Sequence, residues 1–150
     1  MHRILFLFIA VSFSLMSNAQ VKDPVKWTFT AKKISNDTYE VHLEATIEKG
    51  WHIYSQATPE GGPLPTGITF SKNPLLTLSG VVKEIGKLEQ HHEPLFGVDV
   101  KQYSNKVDFV QTFKVKAGAK TAVKGSVEYM VCDNEKCLPP KTVKFSVSLK

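Results

Sequence analysis

Residues 39–48 read Tyr-Glu-Val-His-Leu-Glu-Ala-Thr-Ile-Glu, and this run decides the fold class. Its odd-numbered positions are all apolar, and its even-numbered positions are all polar. Successive side chains of a β-strand point to opposite faces of a sheet, so strict alternation predicts a strand with one buried and one solvated face. Lys49-Gly50 ends the run with a turn signal. The fold is therefore expected to be built from strands.

Similar patterns recur along the rest of the chain, and no segment shows the period of a helix. Further strands are predicted at 26–32, 67–71, 81–88, 107–115, 123–131 and 143–150, with a short aromatic segment at 51–54. Residues 55–66 and 89–97 lack the pattern and are predicted to be irregular. Seven to nine short strands separated by turns are typical of a sandwich. We predict an all-β, immunoglobulin-like β-sandwich formed by one domain over residues 20–150.

The N-terminus is typical of a secretory signal peptide. His2-Arg3 precedes an apolar run from Ile4 to Met16, and the small-residue segment Ser17-Asn18-Ala19 follows. The apolar run is shorter than the about 20 residues of a membrane span. No cysteine follows a cut after Ala19 to carry a lipid anchor. Residues 1–19 are therefore predicted to be a cleaved signal peptide, and the mature protein is expected to be exported without membrane insertion.

The positive charge of the chain is carried by scattered lysines. The sequence has 19 Lys plus Arg against 14 Asp plus Glu, and its single arginine, Arg3, lies in the predicted signal peptide. Sequence-specific binding of nucleic acid depends heavily on the bidentate arginine fork. A nucleic-acid partner is therefore not expected, and the lysines are better explained as solvated faces of strands.

The two cysteines of the chain, Cys132 and Cys137, lie in residues 129–140, Tyr-Met-Val-Cys-Asp-Asn-Glu-Lys-Cys-Leu-Pro-Pro. If the strand that ends near residue 131 pairs with the strand that begins near residue 142, residues 133–136 form the turn of a hairpin. The cysteines then face each other on neighbouring strands, within the about 4.4–6.8 Å between Cα atoms that a disulfide needs. Because exported proteins meet an oxidising compartment, the bond is expected to form.

Spacing alone leaves three interpretations of this pair open, and it favours a structural disulfide. A redox pair is the second, because closing so short a loop stabilises by only about 2 kcal/mol in the chain-entropy model, and such a bond is broken easily. Pro139-Pro140 provides no amide hydrogens, which would leave the bond at an exposed edge or end of the sheet. Zinc is the third, although no His-x3-5-His accompanies Cys-x4-Cys. Hydrolase and phosphate-binding motifs are absent from the sequence.

Three stretches together resemble the N-terminal periplasmic domain of the transmembrane thiol:disulfide interchange reductase DsbD. They are Lys49-Gly50-Trp51-His52-Ile53-Tyr54, Glu93-Pro94-Leu95-Phe96-Gly97 and residues 129–140. The last stretch is the most specific, because it has two cysteines in a hairpin closed by a hydrophobic residue and two prolines. The resemblance covers most of the mature chain. It implies an immunoglobulin-like redox domain that works in the periplasm without a metal or other cofactor.

The resemblance implies a role for each cysteine. The second cysteine of the family's motif exchanges with partner cysteines, so Cys137 is expected to attack and Cys132 to resolve. Electrons would pass from a thioredoxin-like domain or a membrane thiol reductase to disulfide-bearing periplasmic proteins. Most family members are fused to a membrane domain and a thioredoxin-like domain, which this sequence lacks, so the donor is expected in trans. The alternative function is a non-enzymatic exported binding module with a purely structural disulfide.

The resemblance also assigns residues to the lining and cap of the site. These are Trp51, His52, Tyr54, Glu93, Leu95 and Phe96. The first three belong to the aromatic segment after the glycine, and Glu93 matches an acidic residue thought to influence the thiol. In the family an aromatic cap shields the disulfide until a partner docks. Here Leu95 occupies the place of that aromatic residue and Phe96 follows it.

Overall fold

The computed structural model describes residues 23–150, so the predicted signal peptide lies outside the described residues. Nine strands form two antiparallel sheets, and no helix in residues 23–150 is long and apolar enough to cross a membrane. The strands are β1 Val25–Lys33, β2 Thr38–Ile47, β3 His52–Tyr54, β4 Gly67–Phe70, β5 Leu76–Glu93, β6 Val98–Val115, β7 Thr121–Tyr129, β8 Val131–Cys132 and β9 Lys141–Leu149.

The larger sheet is organised around β6, which is 18 residues long. Along one edge, β6 pairs first with β3 through residues 102–104 and then with β2 through residues 106–114. Along its other edge it pairs with β5, from Glu93↔Val98 to Leu76↔Val115. With β1 outside β2 and β8 outside β3, the order is β1-β2-β6-β3-β8. The smaller sheet has the order β4-β7-β9.

The core lies between the two sheets. The apolar face predicted for residues 39–48 is buried, with its five apolar side chains at most 7% exposed. Aromatic rings join the sheets across the core: the centroids of Trp27 and Tyr129 are 5.4 Å apart, and those of Phe29 and Phe145 are 5.1 Å apart. The prediction of an all-β, immunoglobulin-like sandwich is confirmed.

The prediction that residues 89–97 are irregular is wrong for residues 89–93, which continue β5. Side chains on both faces of this segment are polar, so the sequence offers no apolar alternation to reveal a strand. Only residues 94–97 form the turn between β5 and β6. The amides of Phe96 and Gly97 donate to the carbonyl oxygen of Glu93 at 3.2 and 2.8 Å. Gly97 has a φ of 69°, a conformation that favours glycine.

The strand predicted at 123–131 is divided at Met130, where the chain leaves the smaller sheet and joins the larger one. Alternation could not reveal this change, because Tyr129 and Val131 both face the main core. The crossing places Cys132 in β8, at the edge of the larger sheet and beside β3.

The segment that follows β3 is held against the sheet by Glu84 of β5. One carboxylate oxygen of Glu84 accepts from the Ser55 hydroxyl at 2.7 Å and from the Tyr103 hydroxyl at 2.8 Å. The other carboxylate oxygen of Glu84 accepts from the backbone amide of Gln56 at 2.7 Å. Burial raises the pKa of Tyr103, so it donates this hydrogen bond at neutral pH. These bonds fix the end of β3, the strand that lies next to the cysteines.

Candidate functional site

Cys132 and Cys137 form a disulfide with an S–S distance of 2.02 Å, and their Cα atoms are 4.0 Å apart, slightly closer than expected. The two residues form an antiparallel bridge around the turn 133–136, as predicted. The Asp133 carboxylate accepts from the amides of Glu135 and Lys136, each at 2.8 Å. These hydrogen bonds lower the pKa of Asp133. The hairpin is therefore closed by its own turn as well as by the disulfide.

The two cysteines differ in exposure. Cys132 is 1% exposed, whereas Cys137 is partly exposed. Since β8 is an edge strand, the predicted position of the bond at a sheet edge is confirmed. The predicted exposure holds for Cys137 and not for Cys132, because Cys132 faces a small apolar cluster. A thiolate approaching from solvent therefore meets Cys137 first.

The small cluster around Cys132 is separate from the main core. Its buried members are Cys132, Tyr54 and Val100, and its partly buried members are Val98, Met130 and Cys137. Tyr54 was assigned to the site from the sequence, but the two valines and Met130 were not. The valines lie two residues apart at the start of β6, where alternation after the Gly97 turn was the signal that could have found them.

His52 lies directly opposite Cys132 in the pairing of β3 with β8. Directly opposed residues of an antiparallel pair project to the same face, with Cβ atoms about 4.5–5.5 Å apart. The imidazole is buried, and its Nε2 atom lies 3.1 Å from the hydroxyl oxygen of Tyr54. Burial is the largest influence on this histidine and lowers its pKa from the usual 6.5. His52 is therefore neutral at neutral pH, and Tyr54, whose pKa burial raises, keeps its proton.

Polar side chains of β5 extend this face of the sheet on the far side of β6. His91 lies opposite Val100 and Glu93 lies opposite Val98, so both share the face of the small cluster. The ring centroids of His52 and His91 are 6.3 Å apart. The Nε2 atom of His91 is 3.6 Å from a carboxylate oxygen of Glu93. Two segments about 40 residues apart in the sequence thus meet beside the disulfide. The sequence assigned Glu93 to the site but missed His91.

His92 projects from the opposite face of β5, as expected for neighbouring residues of a strand. Its Nδ1 atom is 3.0 Å from a carboxylate oxygen of Asp99, and both side chains are exposed. Within residues 23–150, no three His, Cys, Asp or Glu side chains are arranged to hold a metal ion.

Three of the apolar residues assigned to the site lie outside the small cluster. Trp51 belongs to the main core. At the β5–β6 turn, Leu95 is 63% exposed and Phe96 is partly exposed. Among the described residues, the apolar side chains packed on the cluster of Cys132 include neither Leu95 nor Phe96.

Solved structures share this fold. The N-terminal domain of Neisseria meningitidis DsbD in its reduced form is 20% identical with a TM-score of 0.53, over 81% of this chain and 84% of that chain. The same domain in its complex with the PilB N-terminal domain is 16% identical with a TM-score of 0.54, over 85% and 87%. The N-terminal periplasmic domain of ScsB from Proteus mirabilis is 19% identical with a TM-score of 0.51, over 83% and 44%. At these identities the structures support the fold alone.

The sequence itself matches a family described as "Thiol:disulfide interchange protein DsbD, N-terminal" over residues 18–149. No curated protein matches the chain. The family match spans almost the whole chain and includes the disulfide hairpin, the aromatic strand β3 and the β5–β6 turn. The chain therefore belongs to the family of DsbD N-terminal domains and is a thiol–disulfide exchange module.

Proposed function

We propose that this chain relays electrons in the periplasm, from a thioredoxin-like dithiol to disulfide-bearing acceptor proteins, through a reversible Cys132–Cys137 disulfide. The observation that carries the proposal is the unequal exposure of the two cysteines: Cys132 is 1% exposed and Cys137 is partly exposed. Thiol–disulfide exchange depends on which sulfur an attacking thiolate can reach. Attack at Cys137 gives a single productive mixed disulfide, and Cys132 stays protected from side reactions.

The relay transfers two electrons in each half of its cycle. A donor thiolate attacks the sulfur of Cys137, the disulfide breaks, and the released sulfur of Cys132 takes a proton. The second donor thiolate then attacks the first donor sulfur and expels Cys137 as a thiolate, which leaves the donor oxidised. In the other half, the Cys137 thiolate attacks an acceptor disulfide. Cys132 then attacks Cys137, re-forms the chain's disulfide and releases the reduced acceptor.

What two solved relatives bind and where they work agrees with a protein partner and a periplasmic location for this chain. One DsbD N-terminal domain is in complex with a second protein domain, and the ScsB domain is described as periplasmic. The signal peptide proposed for residues 1–19 agrees with such a location. The donor is either a thioredoxin-like domain or a membrane thiol reductase, and both would dock at the β8 edge, where Cys137 is accessible.

The reduction potential of the Cys132–Cys137 bond tests this function. We expect it to lie in the range of known relay and oxidoreductase proteins, about −120 to −270 mV. Equilibration with a glutathione or thioredoxin redox buffer, read by mass spectrometry after thiol alkylation, gives the value. The alternative function, an exported binding module with a structural disulfide, predicts a value below about −300 mV and no reduction by thioredoxin. That result would rule out the relay.

We also propose, from the family resemblance, that the β5–β6 turn is the cap of the disulfide. Neither Leu95 nor Phe96 packs on the cluster of Cys132 in this structure, so the shielding role is assigned to Phe96 as the less exposed of the two. Truncation in the variant Phe96→Ala should increase the rate of disulfide reduction by dithiothreitol several-fold. The variant Leu95→Ala, which removes an exposed neighbour from the same turn, should leave the rate unchanged. Equal rates in all three proteins would show that the turn does not shield the bond.

A further inference from the structure

We propose that His52 is the catalytic base that removes the proton from the sulfur of Cys132 when Cys132 resolves the mixed disulfide at Cys137. This inference rests on the proposed function and adds a specific proton acceptor to it. The pairing of β3 with β8 places the two side chains opposite each other on one face of the sheet.

A base is needed at this position because Cys132 is buried. It is 1% exposed and packs with Tyr54 and Val100. An apolar environment disfavours the charged thiolate, which is the form that attacks a disulfide. The same burial keeps bulk water away from the sulfur, so a protein side chain must accept the proton. Cys137 has no such need, since it is partly exposed to solvent.

His52 fits the role by its protonation state and its hydrogen bonding. Burial lowers its pKa below the usual 6.5, so at neutral pH the ring is neutral and can accept a proton. Its Nε2 atom lies 3.1 Å from the Tyr54 hydroxyl oxygen. If Nε2 carries the hydrogen and donates to that oxygen, Nδ1 is the basic nitrogen.

The charged groups around His52 come from β5 and from the cysteine turn. Glu93 and Glu89 of β5 and Asp133 of the turn raise the pKa of His52, whereas His91 of β5 lowers it. Burial outweighs the three carboxylates, so the net shift is downward. The carboxylates would also stabilise the imidazolium that forms after proton transfer. The environment therefore keeps His52 neutral before the step and tolerates its charge during the step.

The neighbouring carboxylates are poorer candidates for the base. Asp133 accepts two backbone hydrogen bonds, and its pKa is lowered, which makes it a weak proton acceptor. Glu93 lies on β5, two strands away from β3, and its carboxylate is 3.6 Å from His91. His52 is the titratable residue that is directly paired with Cys132.

The step balances in protons and electrons. His52 takes the proton from the Cys132 thiol, and the resulting thiolate attacks the sulfur of Cys137. The bond between Cys137 and the acceptor sulfur breaks, and the acceptor leaves as a thiolate with the electron pair. The leaving thiolate takes up a proton from water, and the imidazolium returns its own proton to solvent. The chain is oxidised to the disulfide, and the acceptor disulfide is reduced to two thiols.

Stopped-flow reaction of the reduced protein with the aromatic disulfide DTNB isolates this step. Attack by Cys137 gives a first phase whose rate grows with DTNB concentration. Resolution by Cys132 releases a second nitrothiobenzoate in a phase that is independent of DTNB concentration. In the wild type, the rate of the second phase should rise with pH until His52 loses its proton, at a pH below 6.5, and then level off through neutral pH. A second-phase rate that rises tenfold per pH unit throughout, with no plateau, would overturn the proposal.

The variant His52→Gln keeps a hydrogen-bonding side chain but removes the base. We expect its second phase to be about 100-fold slower at neutral pH, with no plateau until the thiol itself ionises. The matched control is His92→Gln, on the opposite face of β5, which should retain the wild-type rate and profile. An unchanged second-phase rate in His52→Gln would refute the assignment. A pH plateau that is kept in His52→Gln but lost in Glu93→Gln would also refute it, because Glu93 would then be the base. If His52→Gln does not fold, the wild-type profile decides alone.

The assay also separates this inference from the proposed function, because DTNB replaces any protein partner. A wild type that shows the plateau but is not reduced by thioredoxin would contradict the relay and leave His52 as the base. A wild type that exchanges with thioredoxin and shows no plateau would contradict the role of His52 and leave the relay standing.

Discussion

The variant Cys132→Ser will form a stable mixed disulfide with a partner protein, and the variant Cys137→Ser will form none. In Cys132→Ser the remaining thiol is the partly exposed one, and the residue that would resolve the complex is missing. In Cys137→Ser the remaining thiol is on a residue that is 1% exposed, so a partner disulfide cannot reach it. A thioredoxin with one cysteine, activated as a mixed disulfide with nitrothiobenzoate, serves as the partner. Non-reducing electrophoresis and intact mass measure the complex.

Both variants lose the same disulfide, so the destabilisation that its loss causes is common to both and does not explain a difference in trapping. The lost bond closes a short loop and contributes only about 2 kcal/mol in the chain-entropy model. The double variant, with serine at both positions, gives the background of the assay and the stability of the fold without the bond. Equal trapping by the two single variants would mean that exposure does not determine which cysteine attacks and which resolves. Preferential trapping by Cys137→Ser would mean that Cys132 attacks and Cys137 resolves.

The parts of the site that lie close together in the sequence could be predicted from it. The hairpin around residues 133–136 depends on two neighbouring strands and an aspartate that caps the turn, and each is a local feature. The sandwich was predictable because apolar alternation is strong in residues 39–48. Residues such as Glu93 entered the prediction through a family resemblance, since no local pattern identifies them.

The meeting of His52 with His91 could not be predicted, because it depends on the order of strands in the larger sheet. β3 and β5 contact opposite edges of β6, so the face they share exists only once all three strands are assembled. The polar character of residues 89–93 on both faces also hid the strand that carries His91. The sheet change at Met130 was hidden for the opposite reason, because the alternation continues through it.

Replacement of Gly125 by alanine should strongly destabilise the fold, and the reason is steric. Gly125 lies in the middle of β7, paired with Phe70 of β4 on one side and Phe145 of β9 on the other. A Cβ atom here would lie 2.2 Å from the carbonyl oxygen of Thr69 and 2.7 Å from the Phe145 ring. A backbone oxygen cannot rotate away, so β4 must move away from β7. The rings of Phe70 and Phe145, with centroids 6.0 Å apart, must then repack.

Overpacking of this kind costs about 1–3 kcal/mol, and a clash with backbone places Gly125→Ala at the upper end of that range. For a domain of this size we expect the melting temperature to fall by roughly 10 °C, measured by calorimetry or circular dichroism on the oxidised protein. The matched control is Gly67→Ala in β4, where a Cβ atom would have no other atom within 4 Å. Because alanine restricts the unfolded chain more than glycine does, the melting temperature of Gly67→Ala should equal or slightly exceed that of the wild type. Equal melting temperatures for Gly125→Ala and Gly67→Ala would mean that β4 can shift away from β7 without destabilising the fold. The close contact of β4 with β7 would then not be what stabilises the smaller sheet.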